Sequence, residues 1–348
     1  MDSLTHAALG ACLGEVMLSR KIGKRALFWG ALAQNLPDID VVAALWLSPD
    51  QNLLVHRGGT HSFLFALGLA VLLSLLARRK YRDRQVPWNQ FFGFFLVQLL
   101  VHDLLDTCNA YGTGLLEPFS QERFSFHLLY VADPLFTLWP CLGLIALLLL
   151  RNSNPKRTYW ALAGLVPAVV YLGYAFLNKQ QISQQIEASL AKQQIPYSDY
   201  FVTPTPFNNW LWYAVVATEN GYQIGHRSVF TEKAVPTEFT FFPKQEELLR
   251  FAIDPGEVQE LKRFAHGYYT VERWNDTLVF NVLRYGQMQG WQDPKSRFTF
   301  HYFLSPAGVD NRLVMQRGRA KGWNRESLQR MKIAIFGPPP EKAHSAMP

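Results

Sequence analysis

Five of the nine histidines, His6, His56, His61, His102 and His127, lie in the apolar first part of the chain, each close to a carboxylate or another histidine. The carboxylates fall in Pro37-Asp38-Ile39-Asp40 and in His102-Asp103-Leu104-Leu105-Asp106, and two of the histidines bracket His56-Arg57-Gly58-Gly59-Thr60-His61-Ser62. Imidazole and carboxylate together are the donor set that divalent metals prefer. Ionisable groups among apolar segments are expensive to bury and therefore mark function. His102 and Asp106 are four apart on an apolar helix, so both project from one face and reach one ion. Asp103 points about 100° away and belongs behind the ligands. Asp38 and Asp40, after Pro37, are expected to alternate along an extended segment with both carboxylates on one side. Thr60 is expected to cap the helix that Phe63 continues, leaving His61 in its first turn.

The elements that must position these groups are set by hydropathy and charge. In a chain of 348 residues, Phe63–Ala77, Phe91–Val101, Leu135–Leu150 and Tyr159–Leu177 carry almost no charge. A bilayer span takes roughly 20 apolar residues. Residues 1–177 hold 14 Lys and Arg, of which 12 form three clusters: Arg20 to Arg25, Arg78 to Arg84 and Arg151 to Arg157. Basic loops stay cytoplasmic. Six segments (Leu4–Ser19, Ala26–Leu47, Phe63–Ala77, Phe91–Asp106, Leu135–Leu150, Tyr159–Leu177) then alternate in direction without conflict, and the histidines land towards the extracytoplasmic ends. Pro37 is expected to break the second segment. The fold expected is an α-helical polytopic membrane domain of about four to six apolar helices over residues 1–177, in the inner membrane. A β-rich α+β extracytoplasmic domain should follow over 178–340, with a disordered tail over 341–348. No secretory signal peptide of the usual form is expected, because the first basic residue, Arg20, follows the first apolar stretch instead of preceding it.

Beyond Asn178 a polar helix is expected over Gln180–Gln194. Strands are expected at Trp210–Thr218, Tyr222–Phe230, Tyr268–Trp274, Thr277–Tyr285, Arg297–Leu304 and Leu313–Arg317, and a closing helix at Arg325–Ile335. Asn220-Gly221 and Asn275-Asp276 are turn signals, so the sheet should be antiparallel. Cys12, Cys108 and Cys141 lack metal or disulfide spacing and read as small buried residues. The net charge of +7 has no basic stripe interleaved with aromatics, which argues against nucleic acid as a partner.

The sequence resembles the YdjM-type family of membrane-bound metal-dependent hydrolases. The resemblance rests on Thr5-His6-Ala7, Pro37-Asp38-Ile39-Asp40, His56 to Ser62 and His102 to Asp106, and continues through Tyr111-Gly112-Thr113, Pro118-Phe119-Ser120 and Asp133-Pro134. It covers about the first 140 residues, and its most specific part is His-Arg-x-x-Thr-His-Ser. The family is distantly similar to zinc-dependent phospholipase C and to the single-strand nucleases of that helical fold. The resemblance implies His6, Asp38, His56, His61, His102 and Asp106 as metal ligands, with Asp40 as another; His127, where relatives often carry an acid, is a further candidate.

One or two divalent ions, zinc given the imidazole share, would activate a water for attack at phosphorus or carbonyl carbon. Asp40 or Asp103 would accept a proton, and Arg57 would clamp an anionic group. A site at the outer membrane surface suggests membrane lipids as partners and a small-molecule or lipid-linked phosphoester as substrate. Neither H-E-x-x-H nor G-x-S-x-G occurs. The competing expectation is a non-enzymatic membrane protein using the cluster for metal transport, proton relay or a structural metal. The bland reading of His6 is a hydrogen-bonded packing residue, and of Asp38 and Asp40 a loop cap.

Overall fold

Gly23, at φ 65°, ends the first helix and turns the chain straight into the second, so α1 (Ser3–Ile22) and α2 (Arg25–Asn35) form an antiparallel hairpin. A computed structural model of the chain describes residues 1–305 and 323–337. The hairpin packs backbone against backbone. A Cβ on Gly10 would lie 2.4 Å from Gly30 O, and one on Gly30 would lie 2.0 Å from Gly10 O. Small residues allow this approach, as in helix pairs that lack a hydrophobic driving force. The register that pairs residue 10 with 30 also brings His6 beside Gln34 at the open end.

The described residues fall into two compact units. The first holds 1–177, 206–209 and 256–266; the second holds 178–205, 210–255, 267–305 and 323–337. In the first, Pro37 stops α2 as expected, and a 3-10 helix over Pro37–Leu45 follows. The segment Ala26–Leu47 is thus broken at Pro37, as expected. After α3 (Pro49–Val55), a 3-10 turn over Gly59–His61 leads into α4 (Phe63–Lys80). Ser62, not Thr60, caps α4 by accepting from Phe65 N, so His61 sits just outside the helix. The α4 residues Ala66, Ala70, Leu73 and Ala77 form one face at helical spacing, and α5 (Trp88–Thr107) fills it with Phe91, Phe94, Phe95 and Leu99. Small side chains on one helix thus receive large ones from the other.

Asp133 caps α6 (Pro134–Leu149) by accepting from Leu135 N and Phe136 N, with Pro134 at the first helical position, where its missing N–H costs nothing. Tyr171 OH donates to Asp133 Oδ2 at 3.0 Å. The Arg157 guanidinium donates to both Glu15 oxygens, at 3.0 and 2.6 Å, and to the Leu147 and Leu150 carbonyls near the end of α6. Arg157, read from the sequence as part of a cytoplasmic basic cluster, is a member of a buried ion pair.

The apolar stretch Tyr159–Leu177 and the polar helix at Gln180–Gln194 are one element, α7 (Arg157–Lys192), because no breaker separates them. Among the described residues α7 alone is long and apolar enough to cross a membrane as one helix. Pro49–His61 with Phe63–Lys80, bent by 56°, makes a second candidate as a broken span, and α6 is shorter. The polytopic expectation thus stands at one or two clear candidate spans within a larger helical region.

The second unit is layered. β1 (Asp199–Pro204), β2 (Leu211–Thr218), β3 (Gly221–Ser228) and β4 (Thr240–Pro243) pair in that order, all antiparallel. Alternate residues of β2 explain the layers. Trp212, Ala214 and Val216 face Ile182, Ile186 and Leu190 of α7. Tyr213 and Val215 face Leu283 and Phe298 of the other sheet. That sheet comprises β5 (Tyr269–Trp274), β6 (Thr277–Gln287) and β7 (Phe298–Ser305). Asn275, at φ 55°, makes the expected two-residue turn. β1, β4 and α8 (Pro255–Phe264, which belongs to the first unit) were not anticipated as elements. The closing helix is α9 (Arg325–Phe336), begun by an Asn324–Ser327 capping box. The strand expected at Leu313–Arg317 and the tail over 341–348 lie outside the described residues.

Candidate metal centre

The end of the α1–α2 hairpin, the 3-10 helix after Pro37, the turn before α4 and the last turns of α5 meet at one place. Asp38, His61, His102 and Asp106 each offer a ligand atom there, all within 4.8 Å of one another. Their burial ranges from partial for Asp38 to complete for the other three. A 3-10 helix turns by about 120° per residue, so Asp38 and Asp40 diverge instead of sharing a side. The extended alternation expected for them is corrected by this geometry: they take opposite edges of His61. Asp38 Oδ1 is 3.4 Å from His61 Nε2, while Asp40 Oδ2 is 3.4 Å from His61 Nδ1.

The hydrogen bonds assign the ring protons. His102 Nδ1 lies 2.5 Å from Gln34 O, which can only accept, so Nδ1 carries the hydrogen. Thr60 Oγ1 donates to Asp40 Oδ2 at 3.0 Å and is left to accept from His61 Nδ1 at 3.0 Å. With Nδ1 of each ring so committed, both Nε2 atoms face inward, 3.1 Å apart. At that distance a proton or a metal ion must lie between them, because two bare lone pairs repel. Asp106 Oδ2 stands 3.5 Å from His61 Nε2 and 3.8 Å from His102 Nε2, and Asp38 Oδ1 is 3.8 Å from His102 Nε2. Ligands bound at about 2.0–2.1 Å around a tetrahedral ion are separated by roughly 3.3 Å; the five separations that involve a histidine run from 3.1 to 3.8 Å, and the whole group lies within 4.8 Å. The four residues fit a metal ion.

The remaining candidates take other places. His6 is fully buried against the cluster, with Nε2 3.3 Å from Asp106 Oδ1, Nδ1 3.2 Å from Gln34 Oε1 and its ring centroid 4.0 Å from that of His102. His56 lies on the far side of Asp40, Nδ1 to Oδ1 at 3.0 Å, and its side chain is 31% exposed. His127, at φ 49°, lies outside the four-residue group, in the segment where Phe126 and Leu128 hydrogen-bond to the carbonyls of Thr107 and Cys108. Asp103 is fully buried with neither carboxylate oxygen hydrogen-bonded among the described residues.

Arg57 is also buried. Its Nε is 3.0 Å from Asp106 Oδ2, its Nη1 donates to Asn109 Oδ1 at 2.8 Å, and its guanidinium lies 5.1 Å from the Tyr111 ring centroid. The side chain expected to clamp a substrate anion is thus held against a protein carboxylate. The Met1 amine is buried against Asp106 Oδ1 as well. Sequence reasoning missed Gln34, Thr60 and Asn109 as supports. The one available signal was a glutamine near the end of an otherwise apolar α2.

A helical region carrying a His2Asp2 group that could hold a metal ion, followed by a β-sheet unit, defines a helical protein with a candidate metal site and an appended sheet domain. Residues 1–182 match the family model described as YdjM inner membrane protein, and the chain belongs to that family. It is 38% identical over 123 residues to the inner membrane protein YbcI of Escherichia coli (strain K12), covering 35% of this chain and 69% of that one. It is 26% identical over 236 residues to the uncharacterized protein YfhP of Bacillus subtilis (strain 168), covering 65% of this chain and 68% of that one. No solved structure matches.

Proposed function

We propose that the chain is a multi-pass inner-membrane hydrolase in which Asp38, His61, His102 and Asp106 hold a divalent ion, zinc by donor type. On this reading it works at the extracytoplasmic surface on a phosphoester or lipid headgroup. The observation that carries the metal is the inward-facing pair of Nε2 atoms flanked by two carboxylates. The membrane placement is supported by the family and by apolar side chains that stand exposed among the described residues. These include Leu64, Leu72 and Leu75 on α4, Leu142 and Ile145 on α6, and Val166, Val169 and Val170 on α7. A bilayer would cover them.

A divalent ion supplies a nucleophilic water at neutral pH and polarises the substrate oxygen it binds. The chain's own groups orient and balance that chemistry. Gln34 O and Thr60 Oγ1 hold the two imidazoles with their Nε2 atoms inward. Arg57 compensates the charge of Asp106, which would otherwise be costly at full burial. Asp103, with two unsatisfied oxygens one residue from His102, is the group free to take a proton. Asp40 is committed to Arg57 N, Thr60 and His56, which makes it a positioning group.

The test is elemental analysis of the detergent-purified chain beside His102→Ala and Asp103→Asn, with hydrolysis of bis(p-nitrophenyl) phosphate measured on the same samples. The reading expects about one ion per native chain. His102→Ala should lose the ion while staying folded, and Asp103→Asn should keep the ion and lose turnover. A folded native chain that takes up no zinc or manganese refutes the metal. A loaded chain without turnover on phosphoesters or carboxylic esters refutes the hydrolase and turns attention to transport.

A further inference from the structure

The second unit contains a recess of about 210 Å³ that no part of the metal site uses. Its walls come from three segments: Ile224 to His226 on β3, Glu238 to Thr240 entering β4, and Gln287 to Pro294 after β6. The amide of Gln287 is fixed in orientation, since Nε2 donates to the carbonyls of Pro294 and Ser296, both at 2.9 Å. Oε1 must then point the other way. It is buried and has no hydrogen-bond partner among the described residues, although Gln287 is only 5% exposed. Trp291 Nε1, on another wall residue, is also buried without a partner among the described residues. Burying such atoms unpaired costs of order 1–3 kcal/mol each, so the two together call for a ligand or water to satisfy them.

Gly290 keeps the space open. A Cβ there would lie 2.6 Å from Gln287 Oε1 and 2.8 Å from His226 Cε1. Oε1, the His226 edge and residue 290 therefore border one volume.

We propose that this recess binds a neutral, hydroxyl-bearing ring of about monosaccharide size. The inference is independent of the metal centre. Gln287 Oε1 needs a donor and Trp291 Nε1–H needs an acceptor, and a hydroxyl group is both. Among the described residues no lysine or arginine lines the walls, so an anion finds no counter-charge from them. Burial holds His226 at about 4, so its ring is neutral at pH 7 and adds one donor and one acceptor. Phe239 and Trp291 supply apolar surface for the faces of a ring. A water occupies about 30 Å³, so the volume admits roughly seven waters, or one sugar ring in their place.

The experiment uses the full chain in a sugar-free detergent, because maltoside or glucoside headgroups would compete. N-acetylglucosamine is titrated by saturation-transfer NMR, with ethanolamine in a parallel arm because Glu238 could pair with an ammonium group. The proposal expects saturable binding of N-acetylglucosamine, abolished by Gly290→Val and weakened by up to about tenfold in Trp291→Phe, which keeps the ring and loses the N–H. Circular dichroism establishes folding, and should Gly290→Val fail that check, Gly290→Ala and Trp291→Phe decide. No saturation by N-acetylglucosamine in the folded native chain, equal binding by the folded variants, or saturation by ethanolamine alone overturns it.

Discussion

Asp38 and Asp40 are two residues apart and of one chemical type, yet the structure assigns them different work, and substitution of each by asparagine separates the two roles. Asp38 Oδ1 faces the Nε2 atoms of His61 and His102, the inward side. Asp40 accepts from Arg57 N at 2.7 Å and Thr60 Oγ1 at 3.0 Å, and its other oxygen is 3.0 Å from His56 Nδ1. Asp38→Asn removes a negative ligand atom and leaves no new buried donor unpaired, because Asp38 is partly exposed. It should abolish measurable metal binding with a stability change under about 1 kcal/mol. Asp40→Asn turns one accepting oxygen into an NH2 facing a donor. The loss of one charge-assisted hydrogen bond should cost about 1.5–3 kcal/mol of stability. Because Asp40 reaches the metal only through Thr60 and the outer edge of His61, its replacement should weaken binding by roughly 10- to 100-fold without abolishing it. Calorimetric zinc titration of both variants, with chemical denaturation monitored by tryptophan fluorescence, reads both quantities. The reasoning is refuted if the two variants lose metal equally while folded, or if Asp38→Asn is the less stable of the pair.

Three further outcomes follow from particular contacts. Glu15→Ala leaves the buried Arg157 guanidinium without its carboxylate and should cost about 3–5 kcal/mol, seen as a lowered thermal midpoint; Glu15→Ala combined with Arg157→Met should recover part of it. Gly30→Val cannot be accommodated where its Cβ would meet Gly10 O at 2.0 Å. It should separate α1 from α2, moving Gln34 O from His102 and reducing zinc content, whereas the external Gly68→Ala, with open space around its Cβ, should leave zinc content unchanged. The third concerns acid. His226 is held at about 4 by burial against an unfolded value of 6.5, so between these pH values the unfolded chain binds more protons. Stability of the sheet unit should be complete above about pH 6.5 and decline towards pH 4 by at most about 3 kcal/mol, less because the ring is only partly covered. His226→Gln should flatten that decline in tryptophan-monitored denaturation across pH.

Much of the architecture is local and therefore legible in the chain. Runs rich in aromatic and β-branched residues mark β2, β3, β5, β6 and β7, and the two-residue loop at Asn275 is a property of its own backbone. Pro37 ends α2 because it cannot donate to that helix. The i, i+4 spacing of His102 and Asp106 puts them on one face wherever the helix lies. Short or weakly patterned elements were not legible: β4 has four residues, and β1 is bounded by prolines that suggest an irregular stretch.

What tertiary structure alone decided is which of many ligand-type residues share one point in space. The 10-to-30 register of the α1–α2 hairpin brings Gln34 to His6 and His102, and the 3-10 pitch after Pro37 sends Asp38 and Asp40 to opposite edges of His61. Arg57 was legible as a cation near the motif, but its pairing with Asp106 and Asn109 was not. Glu15 and Arg157 find each other across 142 residues, and the recess around Gln287 needs three separated segments. Periodicity and residue type act over a turn or two of chain, whereas these outcomes depend on packing between elements whose separation no local pattern encodes.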